Sequence, residues 1–195
     1  MSTGSGTRPD DGMATIDDLL RLPEEDRYEL VDGELVPKEA ASGRHGRAQA
    51  RLSARLDPFD RRTGGPGELG GWWFATEALV DFGVRQKRRP DVAGWRRERL
   101  PMPPAEVPIV VIPDWICEIV SASNASTDTL VKMNLYHQAR VPHYWLLDPR
   151  DETLTVYRHT PEGYLRVTGA GRGERLRAEP FEAIELSISA FFGDD

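Results

Sequence analysis

The sequence predicts an α/β fold. Segments with strand patterning interleave with two long helical periods. A nearly continuous apolar run over residues 107–120 has the composition of a strand covered on both faces. The chain, at 195 residues, is long enough for one domain with a full core.

Taken in order, residues 1–13 read as a flexible tail. They are mostly Ser, Thr, Gly, Pro and Asp and lack the apolar centre of a signal peptide, which predicts a cytoplasmic protein. Residues 14–195 are then a single domain. No apolar run approaches the roughly 20 residues a membrane span needs. Thr15-Ile16-Asp17-Asp18 has the pattern of a capping box and predicts a short helix through Leu19, Leu20 and Leu22, ending at Pro23. Asp32-Gly33 between alternating segments predicts a hairpin over residues 28–36, because that turn needs positive φ.

Residues 43–59 read as a helix with a core stripe of Ala48, Leu52, Leu56 and Phe59. Arg44, Arg47, Arg51 and Arg55 form a second stripe, either a solvated face or one that meets phosphates. His45 lies near the helix start, where a lone histidine is more often structural or solvent-facing than a ligand. The Gly-rich stretch 63–71 lacks the Gly-Lys-Ser/Thr of a nucleotide-binding loop and reads as a turn. Residues 72–82 predict one strand and residues 88–95 another, with Pro90 at its start and Asp91 next to it. A polar, Pro-rich loop follows over 96–106. After the strand around Glu118, residues 127–140 read as a helix with Lys132, Leu135, Tyr136 and Ala139 on one face. The rest predicts a strand over 141–149, a hairpin of 153–157 with 164–167, a Gly/Arg-rich turn at 169–173, a short strand near 181–186 and a one-turn helix ending at Phe192.

Composition narrows the function classes. Net charge is −7, against a general nucleic-acid binder. Yet between Arg44 and Leu100 thirteen basic residues face seven acidic ones, so that window carries +6 and the remainder −13. A basic middle is compatible with a local polyanion site. The single cysteine, Cys117, allows no internal disulfide and no cysteine zinc cluster, and suits a small core position.

The chemistry centres on Glu118. Alternation along a strand puts it on one face with Ile116 and Val120, both apolar. An unpaired buried carboxylate is costly, so Glu118 needs a cation, a donor or a proton. Asp91 stands on the preceding strand, and consecutive strands are usually neighbours. Two carboxylates on adjacent strands make an oxygen-rich site of the kind Mg²⁺ prefers. Lys132 on the following helix would supply positive charge beside it, and the arginine-rich window would hold flanking phosphates. The plainer alternatives are an ion pair of Glu118 with Lys132 or an arginine, and a pair of Asp128 with Lys132.

Pro90-Asp91, Cys117-Glu118-Ile119-Val120-Ser121 and the helix carrying Asp128, Lys132, Leu135 and Tyr136 resemble the PD-(D/E)XK nuclease superfamily. Residues 28–35 and 141–149 narrow the resemblance to its Uma-type restriction endonuclease family, over roughly residue 16 to the C-terminus. The resemblance implies a restriction-endonuclease-like mixed central β-sheet flanked by helices, and metal-dependent cleavage of DNA. It makes Asp91 and Glu118 the metal ligands, with Mg²⁺ or Mn²⁺ as cofactor, and Lys132 the catalytic cation. The superfamily pattern places lysine two residues after the glutamate, where this chain has Val120; in the Uma-type family the lysine comes from the next helix, as Lys132 does. The acid that the superfamily often adds from its first core helix has no counterpart before Asp57, which leaves Glu34 or His45 as substitutes. The competing reading is a non-catalytic DNA- or protein-binding module that keeps the nuclease fold. A single-step double-strand cut would call for two active sites, and therefore a homodimer.

Overall fold

The described strands form a six-stranded sheet, a four-stranded sheet and a two-stranded ribbon. The computed structural model describes residues 12–61, 69–121 and 125–193, without the side chains of 125–128. α1 (Ile16–Leu20) opens with the expected capping box: the Thr15 hydroxyl accepts from the Asp18 amide, and the Asp18 carboxylate accepts from the Thr15 amide. β1 (Tyr28–Val31) and β2 (Glu34–Pro37) pair antiparallel around Asp32 and Gly33, both at positive φ. α2 (Gly43–Leu56) buries Ala48, Leu52 and Leu56, and a 3₁₀ turn through Pro58 carries Phe59 into the same core.

Two expected strands are each divided. Residues 72–82 form β3 (Trp72–Thr76) and β4 (Val80–Gly83), which belong to different sheets. The break falls at Glu77, whose φ of 57° is left-handed and cannot continue a strand. Residues 88–95 straddle β5 (Gln86–Arg88) and β6 (Val92–Arg96), with Pro90, which has no amide hydrogen, between them. The apolar stretch 107–112 is not part of the strand that follows. Pro108 lies within it and Pro113 follows it, its one bridge is from Ile109 to Val80, and Val110 is exposed. The strand proper is β7 (Trp115–Ile119), fully buried.

α3 (Ala125–Gln138) connects β7 to β8 (His143–Asp148), which runs parallel to it, as a crossover requires. β9 (Thr153–Thr160) and β10 (Gly163–Gly171) form a hairpin longer than its sequence pattern suggests. The C-terminal segment adds β11 (Arg175–Leu176), β12 (Leu186–Ser187) and α4 (Ser189–Phe192). The larger sheet has the order β10-β9-β8-β7-β6-β3 and is mixed: β7 and β8 are parallel and its other pairs antiparallel. The smaller sheet is β2-β1-β5-β4.

Alternation along β7 serves two cores. Trp115, Cys117 and Ile119 pack with α2, Trp145, Phe181 and Phe191, while Ile116 packs with Leu135, Tyr136 and Tyr144 on the other side. Gly94 lies where a Cβ would come within 3.0 Å of the Phe74 ring and 3.2 Å of the Trp115 ring, so a side chain there would force two packed aromatics apart. A smaller cluster of Leu19, Leu30 and Leu79 secures α1 on the smaller sheet.

Candidate active site

The register of β6 on β7 sets Val92 against Cys117, and one residue further it brings Asp91 opposite Glu118. Directly opposed residues of an antiparallel pair project to the same face. The Asp91 carboxylate also accepts from the Ile119 amide at 2.6 Å, which ties it to β7. Both carboxylates line one cavity of about 510 Å³, together with Glu29, Lys38, His45 and Lys132.

Each carboxylate is buried and partnered. Lys132 donates to Glu118 Oε2 at 3.0 Å, and the Tyr136 hydroxyl, one helical turn on, donates to Oε1 at 2.5 Å. Asp91 Oδ1 accepts from Lys38 Nζ at 2.9 Å and lies 3.3 Å from His45 Nε2. Lys38 Nζ is also 2.6 Å from Glu77 Oε2 and donates to the Arg89 carbonyl at 2.6 Å. Gln49 bridges the Asp91 carbonyl at 2.7 Å and Glu77 Oε1 at 3.2 Å. His45 is buried, and among the described residues its Nε2 makes no well-aligned hydrogen bond, its nearest charged neighbour being Asp91 Oδ1 at 3.3 Å.

Adjacent buried acids titrate apart. Burial pushes the Glu118 carboxyl up to about 7; the neighbouring Asp91 charge adds to this, and Lys132, Lys38 and Tyr136 oppose it only in part. Burial alone would also raise Asp91, but His45, Lys38 and Lys132 outweigh it and hold this carboxyl well below the usual range. Burial disfavours the Lys38 ammonium, yet Asp91, Glu118 and Glu77 together raise its pKa. Tyr136 is pushed well up by burial and by Glu118, so it remains a donor.

Sequence reasoning reached part of this arrangement. Asp91, Glu118 and Lys132 come together in the cavity, and His45 joins them. Glu34 does not: it is exposed on β2 and outside the cavity lining. The Asp128 side chain and most of the 63–71 loop fall outside the described residues. Lys38 and Glu77 were not foreseen. Neither sits in a local pattern, since Lys38 follows β2 and Glu77 occupies a turn. Tyr136 did carry a signal, four residues after Lys132 on the same face.

Part of the basic window is tied up in contacts within the protein. Lys87 pairs with Asp81, Arg88 lies 3.6 Å from Glu29, and Arg97 and Arg99 pair with Asp60 and Asp114. Arg89 donates to the Tyr28 and Glu77 carbonyls. These cations fasten loops and strands. Arg44, Arg47 and Arg55 of the helical stripe are exposed. No helix among the described residues is long and apolar enough to cross a membrane.

Comparison with known proteins places the chain beside a family model and several solved structures. A family model described as "Uma2: Putative restriction endonuclease" matches residues 16–190. A crystal structure described as a putative nuclease belonging to DUF820, from Anabaena variabilis ATCC 29413, superposes with a TM-score of 0.70. It is 22% identical, and the match covers 91% of this chain and 97% of that one; likeness at this identity is one of fold. No curated protein matches the chain.

Proposed function

The chain belongs to the Uma2 restriction endonuclease family, and on that premise we propose that it is a divalent-metal-dependent endonuclease that hydrolyses DNA phosphodiester bonds. The observation that carries the reading is the convergence of Asp91 and Glu118 on one cavity, with Lys132 bound to Glu118.

The donor set fits a hard divalent ion. Asp91, Glu77 and His45 each offer a ligand atom, all within 4.8 Å of one another, and among the described residues the buried His45 Nε2 makes no well-aligned hydrogen bond. Glu118 lies outside that three-residue group but lines the same cavity as Asp91 and His45, and carboxylate-rich surroundings of this kind suit Mg²⁺ or Mn²⁺. Such an ion supplies Lewis acidity at the phosphate and a more acidic water. Lys132 holds a positive charge beside Glu118, where negative charge on the phosphoryl oxygens would grow. Tyr136 fixes the Glu118 carboxyl from its other oxygen, and the Ile119 amide does the same for Asp91.

Plasmid nicking tests this. Supercoiled DNA is expected to be converted to nicked or linear form with Mg²⁺ or Mn²⁺ and to stay intact with chelator. No nicking, together with no metal uptake by calorimetry, would leave only a DNA- or protein-binding module on a nuclease fold.

Metal uptake should also depend on pH. A Glu118 carboxyl that keeps its proton to about 7 must release it to bind an ion. Affinity for Mn²⁺ is therefore expected to rise between about pH 6 and about pH 8 and then level off, with proton release visible in buffers of different ionisation enthalpy. A flat profile would exclude Glu118 as a ligand. The sign for stability is opposite. The folded state holds a proton that the unfolded chain has already lost, so the metal-free fold weakens as pH climbs from the ordinary glutamate range through about 7.

A further inference from the structure

Lys38 lies where a cation is most wanted. Its ammonium is 2.9 Å from Asp91 Oδ1, 2.6 Å from Glu77 Oε2 and 2.6 Å from the Arg89 carbonyl oxygen. Two of these oxygens sit on Asp91 and Glu77, residues of the His45–Glu77–Asp91 group whose ligand atoms crowd within 4.8 Å. Among the described residues Glu77 Oε2 makes no aligned hydrogen bond, so Lys38 is held there largely by charge. The side chain is 13% exposed, and its backbone amide is anchored to the Arg27 carbonyl at 3.0 Å. The stem can thus turn while the backbone stays in place. Beside it, Glu39, Ala40 and Ala41 are exposed and line the mouth of the 510 Å³ cavity.

A divalent ion binds oxygens at roughly 2.0–2.6 Å. At that distance from Asp91 Oδ1 it would meet the ammonium at close range, and two cations so near each other repel strongly in a partly buried site. One of them has to leave. We propose that Lys38 is the built-in counter-ion of the Asp91–Glu77 site, and that a divalent cation binds there only by displacing the Lys38 ammonium into the cavity. The proposal rests on the metal-dependent reading above and adds a positioning residue to it. In the metal-free protein Lys38 keeps the carboxylates gathered and neutralised, and the same contact sets a threshold for metal uptake.

The native chain offers a direct test, because it has only three lysines, Lys38, Lys87 and Lys132. Amine acetylation read by peptide mass spectrometry should show Lys38 modified about tenfold faster in saturating Mn²⁺ than in chelator, the change expected when a burying contact opens. Lys87 is buried against Asp81 and the Gly83 carbonyl and serves as the control, its rate unchanged. A Lys38 rate that does not rise while Mn²⁺ binds overturns the proposal. Calorimetry on Lys38→Met provides a second readout. Losing the competing ammonium should tighten Mn²⁺ binding by about tenfold, and unchanged or weaker binding also overturns the proposal. Uptake by the variant alone would be its strongest support. If neither protein takes up Mn²⁺, the metal-dependent reading itself fails and the proposal with it. If Lys38→Met does not fold, the footprint of the native chain decides.

Discussion

Glu118→Gln is expected to abolish cleavage while the fold survives. The substitution is nearly isosteric; it removes the negative charge and replaces the oxygen that accepts from Lys132 by an amide nitrogen. Tyr136 can still donate to the amide oxygen, and the side chain stays in its slot between Asp91 and α3. Because burial already favours the protonated carboxyl up to about 7, a neutral amide costs the metal-free protein little. Lys132 loses its anion, but the stem keeps its packing and the head can turn toward the cavity. Catalysis has no such tolerance. Loss of a charged group that contacts the reacting centre typically removes on the order of 10³-fold in rate, about 4 kcal/mol at the transition state. Plasmid nicking by purified variant and wild type measures the loss, and circular dichroism with urea titration checks the fold. Wild-type rates from a folded Glu118→Gln protein would falsify the assignment of Glu118. Asp91→Asn should lose activity to a similar degree and stability to a greater one, since the charged form of Asp91 is what His45 and Lys38 stabilise.

Phe181→Ala should cost the most stability of any single truncation in the chain. The ring lies at the centre of the larger core, with centroids 4.9 Å from Phe59 and Trp72, 5.2 Å from Trp115, 5.5 Å from Trp145 and 5.7 Å from Phe74. Five rings around one position cannot collapse into the space it would leave, so the cavity persists and its cost adds to the lost burial. Truncations of this kind cost about 3–5 kcal/mol, a large share of the roughly 5–15 kcal/mol that holds a typical domain folded. A fall in melting temperature on the order of 10 °C follows for a chain of this length. Phe181→Leu, which refills most of the volume, should recover the greater part. A loss below about 1 kcal/mol for the alanine variant would mean that the C-terminal segment does not seal this core.

Local signals carried much of the fold. The Thr15 capping box, the Asp32-Gly33 turn and the stripe of α2 depend on neighbours within a few residues, and each has its predicted form. Glu118 announced itself because a charge in an apolar run conflicts with its surroundings. The failures share a cause. A left-handed residue at Glu77 and a proline at position 90 cut two apolar stretches that a linear pattern had joined. Lys38 and His45 reach Asp91 only because the β1–β2 hairpin and the start of α2 pack near it. No periodicity in the chain encodes that meeting.

Glu77 has one further consequence. The chain changes sheets there, leaving β3 of the larger sheet for β4 of the smaller, and the same residue faces Lys38. The cavity is therefore composite. Asp91 and Glu118 adjoin strands whose neighbours pack in the two larger cores, whereas Glu29 lies in the β1–β2 hairpin and Lys38 directly follows it, backed among the described residues by the smaller cluster around Leu19, Leu30 and Leu79. Under mild denaturant or moderate heat the hairpin side should open while the carboxylate strands remain paired. Enzymatic competence would then vanish well before global melting, with the weaker sheet acting as the fuse for the whole molecule.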